Sequence, residues 1–456
     1  MNDTPDRFSI GSEILYDSTQ TDQHAVSNKC EIPKDIRIRV GTLLKAETVS
    51  FLLGAGASVD CGGVLLGFVP LEIEKAMCKE GITRESKPRV QRWLKAFYLA
   101  ARHAGSANML ATCEEILERK EALDGQSPQR LNFEQVLATL YRWRSALPAH
   151  SKHRLRIEET GAEGKVSIDI TTDDLDQAIC HATRELAIAC NLPTNGKETK
   201  VATHKAFLRK VLTRPLNLKR ANLFTLNYDT LIEQAADAEG IVLIDGFVGT
   251  QRRVFRPESY EQDLYFPAET TEGRVHRFDR VLHLYKLHGS ITWIASDPTI
   301  DNPYGVESTV FKPEITQRLL IYPTPAKYGE TLGMPYAELF RRFANAIVRP
   351  QSVLFVIGYG FGDDHVNAII RQALATPSFT LAIVDPSPQS SFVTTLQGQK
   401  DRRVWIATGP TLGTFKGFVE QVLPDLRDEE ITEKVLATHR ALSRTPSESG
   451  GATGGD

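Results

Sequence analysis

Three short clusters carry side chains and backbone shapes from which chemistry can be built: Gly54-Ala55-Gly56-Ala57-Ser58, Thr225-Leu226-Asn227-Tyr228-Asp229 and Lys286-Leu287-His288-Gly289-Ser290. A strand that runs into Gly54-x-Gly56 and Ser58 ahead of a helix turns backbone N–H groups toward a phosphate, and the helix dipole favours the negative charge. Val59 stands where the G-x-G-x-x-G dinucleotide fingerprint has its third glycine, so a tight strand-to-helix turn without a ligand accounts for the same residues. Asn227 offers both a donor and an acceptor, enough to hold a water or a ribose hydroxyl. Asp229 equally suits a cap for the helix that opens at Thr230. His288 can serve as hydrogen-bond partner or general base near neutral pH, with Gly289 letting the backbone turn away from the imidazole. A satisfied core histidine is the plainer role, and His283, five positions earlier and so on the opposite face, fits it better.

Each cluster follows an apolar, β-rich run: Thr48–Leu53, Ala221–Thr225 and Val281–Tyr285. All three are therefore expected at the carboxyl ends of buried strands, where open α/β sheets bind nucleotides. Further strand-like runs at 241–244, 319–322, 353–357, 381–384 and 404–406 alternate with helical spacing. That alternation predicts an α/β fold, a doubly wound, Rossmann-like parallel sheet covered on both faces. Between about residues 70 and 213 the period is mainly helical, as in Leu131, Phe133, Val136, Leu137, Leu140 and Tyr141, or Leu175, Ile179, Ala182, Leu186 and Ile188, broken by a polar hairpin-like piece around 153–172. The chain divides accordingly into an N-terminal arm over 1–40, a core over 41–75 and 203–425, a large, mainly helical insertion over 76–202, and a C-terminal helix with a disordered Ser/Gly-rich tail over 426–456.

Composition narrows the class. A chain of 456 residues with 41% apolar content can bury one large core plus an appended module. A formal charge of −3 gives no basic footprint, so direct nucleic-acid binding is unsupported. The six cysteines include no C-x-x-C pair and none follows Cys190, which indicates neither a disulfide framework nor a Cys-rich zinc site and fits reduced cytoplasm. No signal peptide and no run of 18 apolar residues is found, so no membrane span is expected.

In this order the three clusters resemble the sirtuin signature of Gly-Ala-Gly-x-Ser, Thr-x-Asn-x-Asp and His-Gly, over roughly residues 41–75 and 203–425. A fourth segment extends the likeness. Gly358-Tyr359-Gly360-Phe361-Gly362-Asp363-Asp364-His365 resembles a glycine loop that in bacterial sirtuin-like (SIR2-like) defence proteins often reads Gly-Tyr-Ser-Phe-x-Asp-x-His, with Gly360 replacing the serine. Asp385 matches the family position that meets the adenosine ribose, although Asp385-Pro386 also reads as a strand-ending turn. The resemblance implies NAD as substrate, bound by Gly54, Ala55, Gly56, Ser58, Asn227, Gly358, Gly360 and Asp385. It implies Asn227, Asp229 and His288 as the catalytic set, with His288 at the nicotinamide-ribose hydroxyls and Asn227 positioning an attacking water.

Departures from the sirtuin pattern narrow the activity. Protein deacylases carry a four-cysteine zinc module between the His-Gly motif and the later glycine loop, and this interval has no cysteine, so no zinc module and no metal is expected. The deacylase sequence Gly-Ile-Pro-Asp-Phe-Arg is replaced by Gly62-Gly63-Val64-Leu65-Leu66-Gly67-Phe68, leaving Asp60, Phe68 or the insertion as candidates for the missing nicotinamide contacts. The chain most resembles bacterial anti-phage NADases, abortive-infection effectors that hydrolyse NAD+ to nicotinamide and ADP-ribose. That likeness implies restraint by a partner or by homo-oligomeric assembly, and the insert-bearing subunit is similar to those that join a HerA-type hexameric ATPase. Two other classes stay open, a non-catalytic NAD or ADP-ribose sensor and an ADP-ribosyl transferase.

Overall fold

The computed structural model describes residues 5–19, 33–63, 69–83, 89–105, 112–123, 131–147, 154–161, 164–194, 198–266, 276–315, 318–320 and 333–427. Among these, a nine-stranded sheet runs in the order Glu13–Asp17, Arg7–Ile10, Val404–Thr408, Thr380–Val384, Ser352–Ile357, Thr48–Leu53, Asn222–Thr225, Val281–Lys286 and Val242–Ile244. All pairings from Val404–Thr408 to Val242–Ile244 are parallel. The sheet is mostly parallel with helices on both faces, as the alternation of periods requires.

Burial on both faces explains the apolar runs. Every residue of Thr48–Leu53 and Ser352–Ile357 is buried, and the pleat sends alternate side chains into two cores. Val49, Phe51, Leu53, Phe355 and Ile357 join one core, while Leu52, Leu354 and Val356 join the other. On the first face Phe51 stacks on Phe355 at 5.0 Å and meets the edge of Phe207 at 5.1 Å. On the second, Phe224 stacks on Tyr285 at 4.7 Å and meets Phe343 of the helix Tyr336–Ile347.

Residues 7–17, inside the stretch assigned to an arm, form two antiparallel strands that extend this sheet from Val404–Thr408. Phe8 and Ile10 alternate into the core, but a run of four residues is too short to display that period in the sequence. A second correction concerns the run at 319–322. Arg318–Leu320 belongs to a separate antiparallel sheet of Phe247–Val248, Arg253–Phe255, Val306–Ser308, Gly289–Ala295 and Arg318–Leu320, whereas 321–322 lie outside the described residues.

The helices Val69–Gly81, Arg92–His103, Cys113–Leu123, Phe133–Ala146 and Thr172–Ala189 share a third core. Arg92–His103 is buried nearly all round, as a helix at the centre of a bundle must be. Arg154–Gly161 and Gly164–Thr171 pair as the expected hairpin. This core also takes in Tyr228, Ile291 and Leu320, and so abuts the loops at the carboxyl edge of the large sheet. Of the stretch assigned to a C-terminal helix and tail, residues 428–456 lie outside the described residues.

Candidate functional site

Five strand ends lie in one row. Lys286 pairs with Thr225, Thr225 with Leu53, Leu53 with Ile357, and Ile357 with Val384. His288, Asn227, Gly54–Ser58, Gly358–Gly360 and Asp385 each follow one of these ends within a few residues, so the register sets every sequence candidate along one edge. Three inter-strand steps separate the Thr225 and Val384 positions, about 14 Å.

The strand order reverses inside this row. From Thr48–Leu53 the chain builds outward through Asn222–Thr225, and its later part returns at Ser352–Ile357 on the opposite side. Such a switch point opens a crevice beyond the strand ends. Here the two flanking loops meet: Gly54 donates its N–H to Ile357 O and Gly56 to Gly358 O, both at 2.9 Å. A Cβ on Gly56 would lie 2.6 Å from Gly358 Cα, and Gly358 itself has φ +64°. The two loops thus need glycine to approach each other, a demand independent of any ligand.

Asn227 is locked from one side. Its Nδ2 donates to Gly54 O at 2.9 Å and to Ser58 Oγ at 3.0 Å, while Ser58 Oγ donates to Asp229 Oδ2 at 2.6 Å. The polarity is fixed: a carboxylate only accepts, so the Ser58 hydrogen goes to Asp229 and its lone pairs remain for the amide. With both amide hydrogens used, Oδ1 is the polar atom of Asn227 left to act as an acceptor. Asp229 also fills the plainer role, because Oδ1 accepts the Leu231 N–H at 3.1 Å at the start of the helix Leu231–Glu239.

Buried Lys286 supports this loop from behind, donating to the Asp229 carbonyl and, at 2.9 Å, to Glu233. Desolvation pushes the Glu233 carboxyl up, opposed by the Lys286 ammonium. Deeper still, His204 lies 3.6 Å from Cys61 Sγ. Burial lowers the His204 imidazole to about 4 and raises the Cys61 thiol to about 11, so both are neutral near pH 7.

His288 is 6% exposed, and its Nε2 lies 3.1 Å from Oδ2 of Asp363, which is 7% exposed. Gly289 follows with φ +87°, the turn the His-Gly pair requires. Asp363 Oδ1 caps the helix Asp364–Leu374 through the His365 and Val366 N–H groups. His283 is half-buried, and burial takes its imidazole down to about 4. Its ring lies by Tyr285 and that of His288 by Phe340, two residues of the same core, so the two histidines are not on opposite faces as the strand count suggested.

The remaining candidates are spread along the edge. Asp385 accepts the Ser387 N–H at 2.9 Å, which realises the turn, and burial raises its carboxyl. Gly360 is exposed, and a Cβ there would meet nothing within 4 Å. Asp60 is exposed, and Phe68 lies outside the described residues. Sequence reasoning did not assign roles to Asp363 and Lys286. An Asp two residues before His365, in the loop likened to Gly-Tyr-Ser-Phe-x-Asp-x-His, and a lysine inside a buried strand were the available signals. Among the described residues no three His, Cys, Asp or Glu side chains gather as a metal site, and no helix is long and apolar enough to cross a membrane.

Residues 221–407 match the family described as SIR2-like domain. The matched stretch holds Asn227, His288, Asp363 and Asp385, and the first glycine loop lies outside it. No curated protein matches the chain. Among solved structures, the chain is similar to a SIR2 homolog in complex with NAD, at 12% identity over 89% of this chain and 98% of that one, with a TM-score of 0.35. It is also similar to a Sir2 homologue bearing a serine-to-alanine change in complex with ADP-ribose, at 11% identity over 90% and 99% of the two chains, with a TM-score of 0.31.

Proposed function

We propose that this chain is an NAD+ glycohydrolase that releases nicotinamide and ADP-ribose. The observation that carries the reading is the fixed amide of Asn227, anchored through Ser58 and Gly54 at the switch-point edge with His288 beyond the neighbouring strand. Nicotinamide leaves as a neutral molecule when its bond to ribose C1′ breaks, so the site needs to stabilise positive charge on the ribose and align water. Water adds its oxygen to C1′ and gives up a proton. Asn227 Oδ1 is the acceptor that orients this water, and His288 meets the ribose hydroxyls as hydrogen-bond partner or base. Gly54 and Gly56 spend their N–H groups within the protein, so the pyrophosphate falls to Ala55, whose N–H has no partner within its own turn. Gly358, Gly360 and Asp385 complete the binding set toward the adenosine end.

The activity is read as that of an anti-phage abortive-infection effector, a cytoplasmic enzyme held in check by homo-oligomeric assembly or by a HerA-like hexameric ATPase. The likeness of the four motifs to bacterial defence NADases supports this. In domain terms, 41–75 with 203–425 forms the NAD-binding core and 76–202 the insertion. The direct test follows nicotinamide and ADP-ribose from NAD, with Asn227→Ala and His288→Ala as controls. Turnover abolished by both changes in folded protein is expected. ADP-ribose appearing on a macromolecule would favour a transferase, and tight binding without turnover, with or without partner proteins, a sensor.

A further inference from the structure

We infer that Asp363 is the positioning residue for His288, its carboxylate set against the imidazole and raising its basicity. This rests on the reading of His288 as the acting group of the site. His288 and Asp363 come from strands separated by Thr48–Leu53 and Asn222–Thr225, yet their side chains meet at 3.1 Å with both nine-tenths buried. A contact that reaches across two intervening strands needs a loop built to deliver it.

The loop at 358–363 is so built. Tyr359 Oη accepts the Asp363 N–H at 2.9 Å and lies within donating reach of the Asp363 carbonyl at 3.1 Å and Asn367 Oδ1 at 3.2 Å. Asn367 Nδ2 donates to Phe361 O at 2.9 Å. Phe361 is held at φ +54°, a costly conformation for a side-chain-bearing residue, and is pinned by stacking on Phe392 at 5.1 Å. One Asp363 oxygen is spent on the helix cap and the other faces His288. The cap needs only a neutral acceptor, so an Asn would satisfy it. The carboxylate charge acts on the imidazole: at 3.1 Å it stabilises the imidazolium and so makes the ring more basic.

Asp363→Asn separates the two functions, keeping the cap and removing the charge, with exposed Asp364→Asn as the control. Histidine side-chain NMR of the full chain, with His288→Gln identifying its signals among the eleven histidines, reads the titration directly. In Asp363→Asn the His288 midpoint is expected to fall by about one pH unit or more. NAD turnover should lose about 10- to 100-fold in kcat with KM little changed, and the acid limb of its pH profile should move down with the midpoint. Asp364→Asn should change neither. A His288 midpoint and kcat unchanged in Asp363→Asn would overturn the assignment. If the wild-type protein cleaves no NAD either alone or with its partner proteins, the hydrolase reading fails while the NMR midpoint still decides whether Asp363 acts on His288.

Discussion

Gly56 donates its N–H to the carbonyl of Gly358 at 2.9 Å, joining two glycine loops that leave adjacent strands at the switch point of the sheet. The contact accounts for glycine at both positions by packing alone. It also fixes the separation of the two loops where they leave the sheet.

Alanine at either position should therefore destabilise the fold. Gly56→Ala places a Cβ 2.6 Å from Gly358 Cα, and backbone cannot swing aside as a flexible side chain can. The expected cost is about 1–3 kcal/mol. Gly358→Ala adds the penalty of φ +64° for a side-chain-bearing residue, about 1–2 kcal/mol more. Urea denaturation measures both, and midpoints equal to wild type would mean that the loops are not in contact.

Gly360→Ser should behave in the opposite way. A Cβ at Gly360 meets nothing within 4 Å, so stability should stay within about 0.5 kcal/mol of wild type. If a serine hydroxyl at this place in the loop contacts NAD, the variant should bind it about 2- to 10-fold more tightly, the worth of one added hydrogen bond. Calorimetric titration with NAD decides, and unchanged affinity would remove the 360 position from the binding set.

How far the sequence reaches depends on which contacts are local. Asn227 and His288 were legible because each follows a buried strand whose apolar run is continuous, and the sheet register then sets them on one edge. Asp363 as partner of His288 was not, because the pairing exists only once four strands are ordered in space. Gly289–Ala295 is not legible because it starts at the residue after His288 and only Ile291 and Trp293 alternate into cores, too few apolar positions to mark a strand. For Arg318–Leu320, a short apolar run carries no mark of parallel or antiparallel pairing.

Ser58→Ala tests the anchoring of Asn227. The change removes the acceptor of one Asn227 N–H and the donor to Asp229 without altering the strand. The freed amide can turn, so kcat for NAD cleavage should drop about tenfold or more, worth about 1.4 kcal/mol, with KM moving less. Asp229→Asn should also lose activity, because an N–H facing Ser58 reverses the hydroxyl and presents it as a donor to Asn227. Wild-type kcat in both variants would show that the amide holds its orientation without them.

Among the helices, Glu74 and Arg119 form a bidentate pair at 2.7 and 2.9 Å, with Tyr98 donating to Glu74 at 2.8 Å, all nine-tenths or more buried. Arg119→Ala strands the Glu74 carboxylate in the core and should cost about 3–5 kcal/mol. Replacing both partners, Glu74→Leu with Arg119→Met, should cost much less than the sum of the single changes. Additive losses in a denaturation cycle would mean that the two charges do not depend on each other.

Acid should weaken this protein through its buried neutral histidines. His204 sits against the ring of Phe415 at 4.9 Å, and desolvation lowers its imidazole to about 4, with Asp229 opposing. Between about pH 6.5 and 4 the unfolded chain therefore binds a proton that the folded chain refuses. Stability is complete above about pH 6.5 and is lost as pH falls toward 4, by up to about 3 kcal/mol for this group, and His283 adds a loss in the same window and direction. His204→Phe keeps an aromatic ring beside Phe415 and removes the titration, so the slope of stability against pH across this window should flatten even if the absolute stability shifts. A slope equal to wild type would show that His204 is not among the groups that make the fold acid-sensitive.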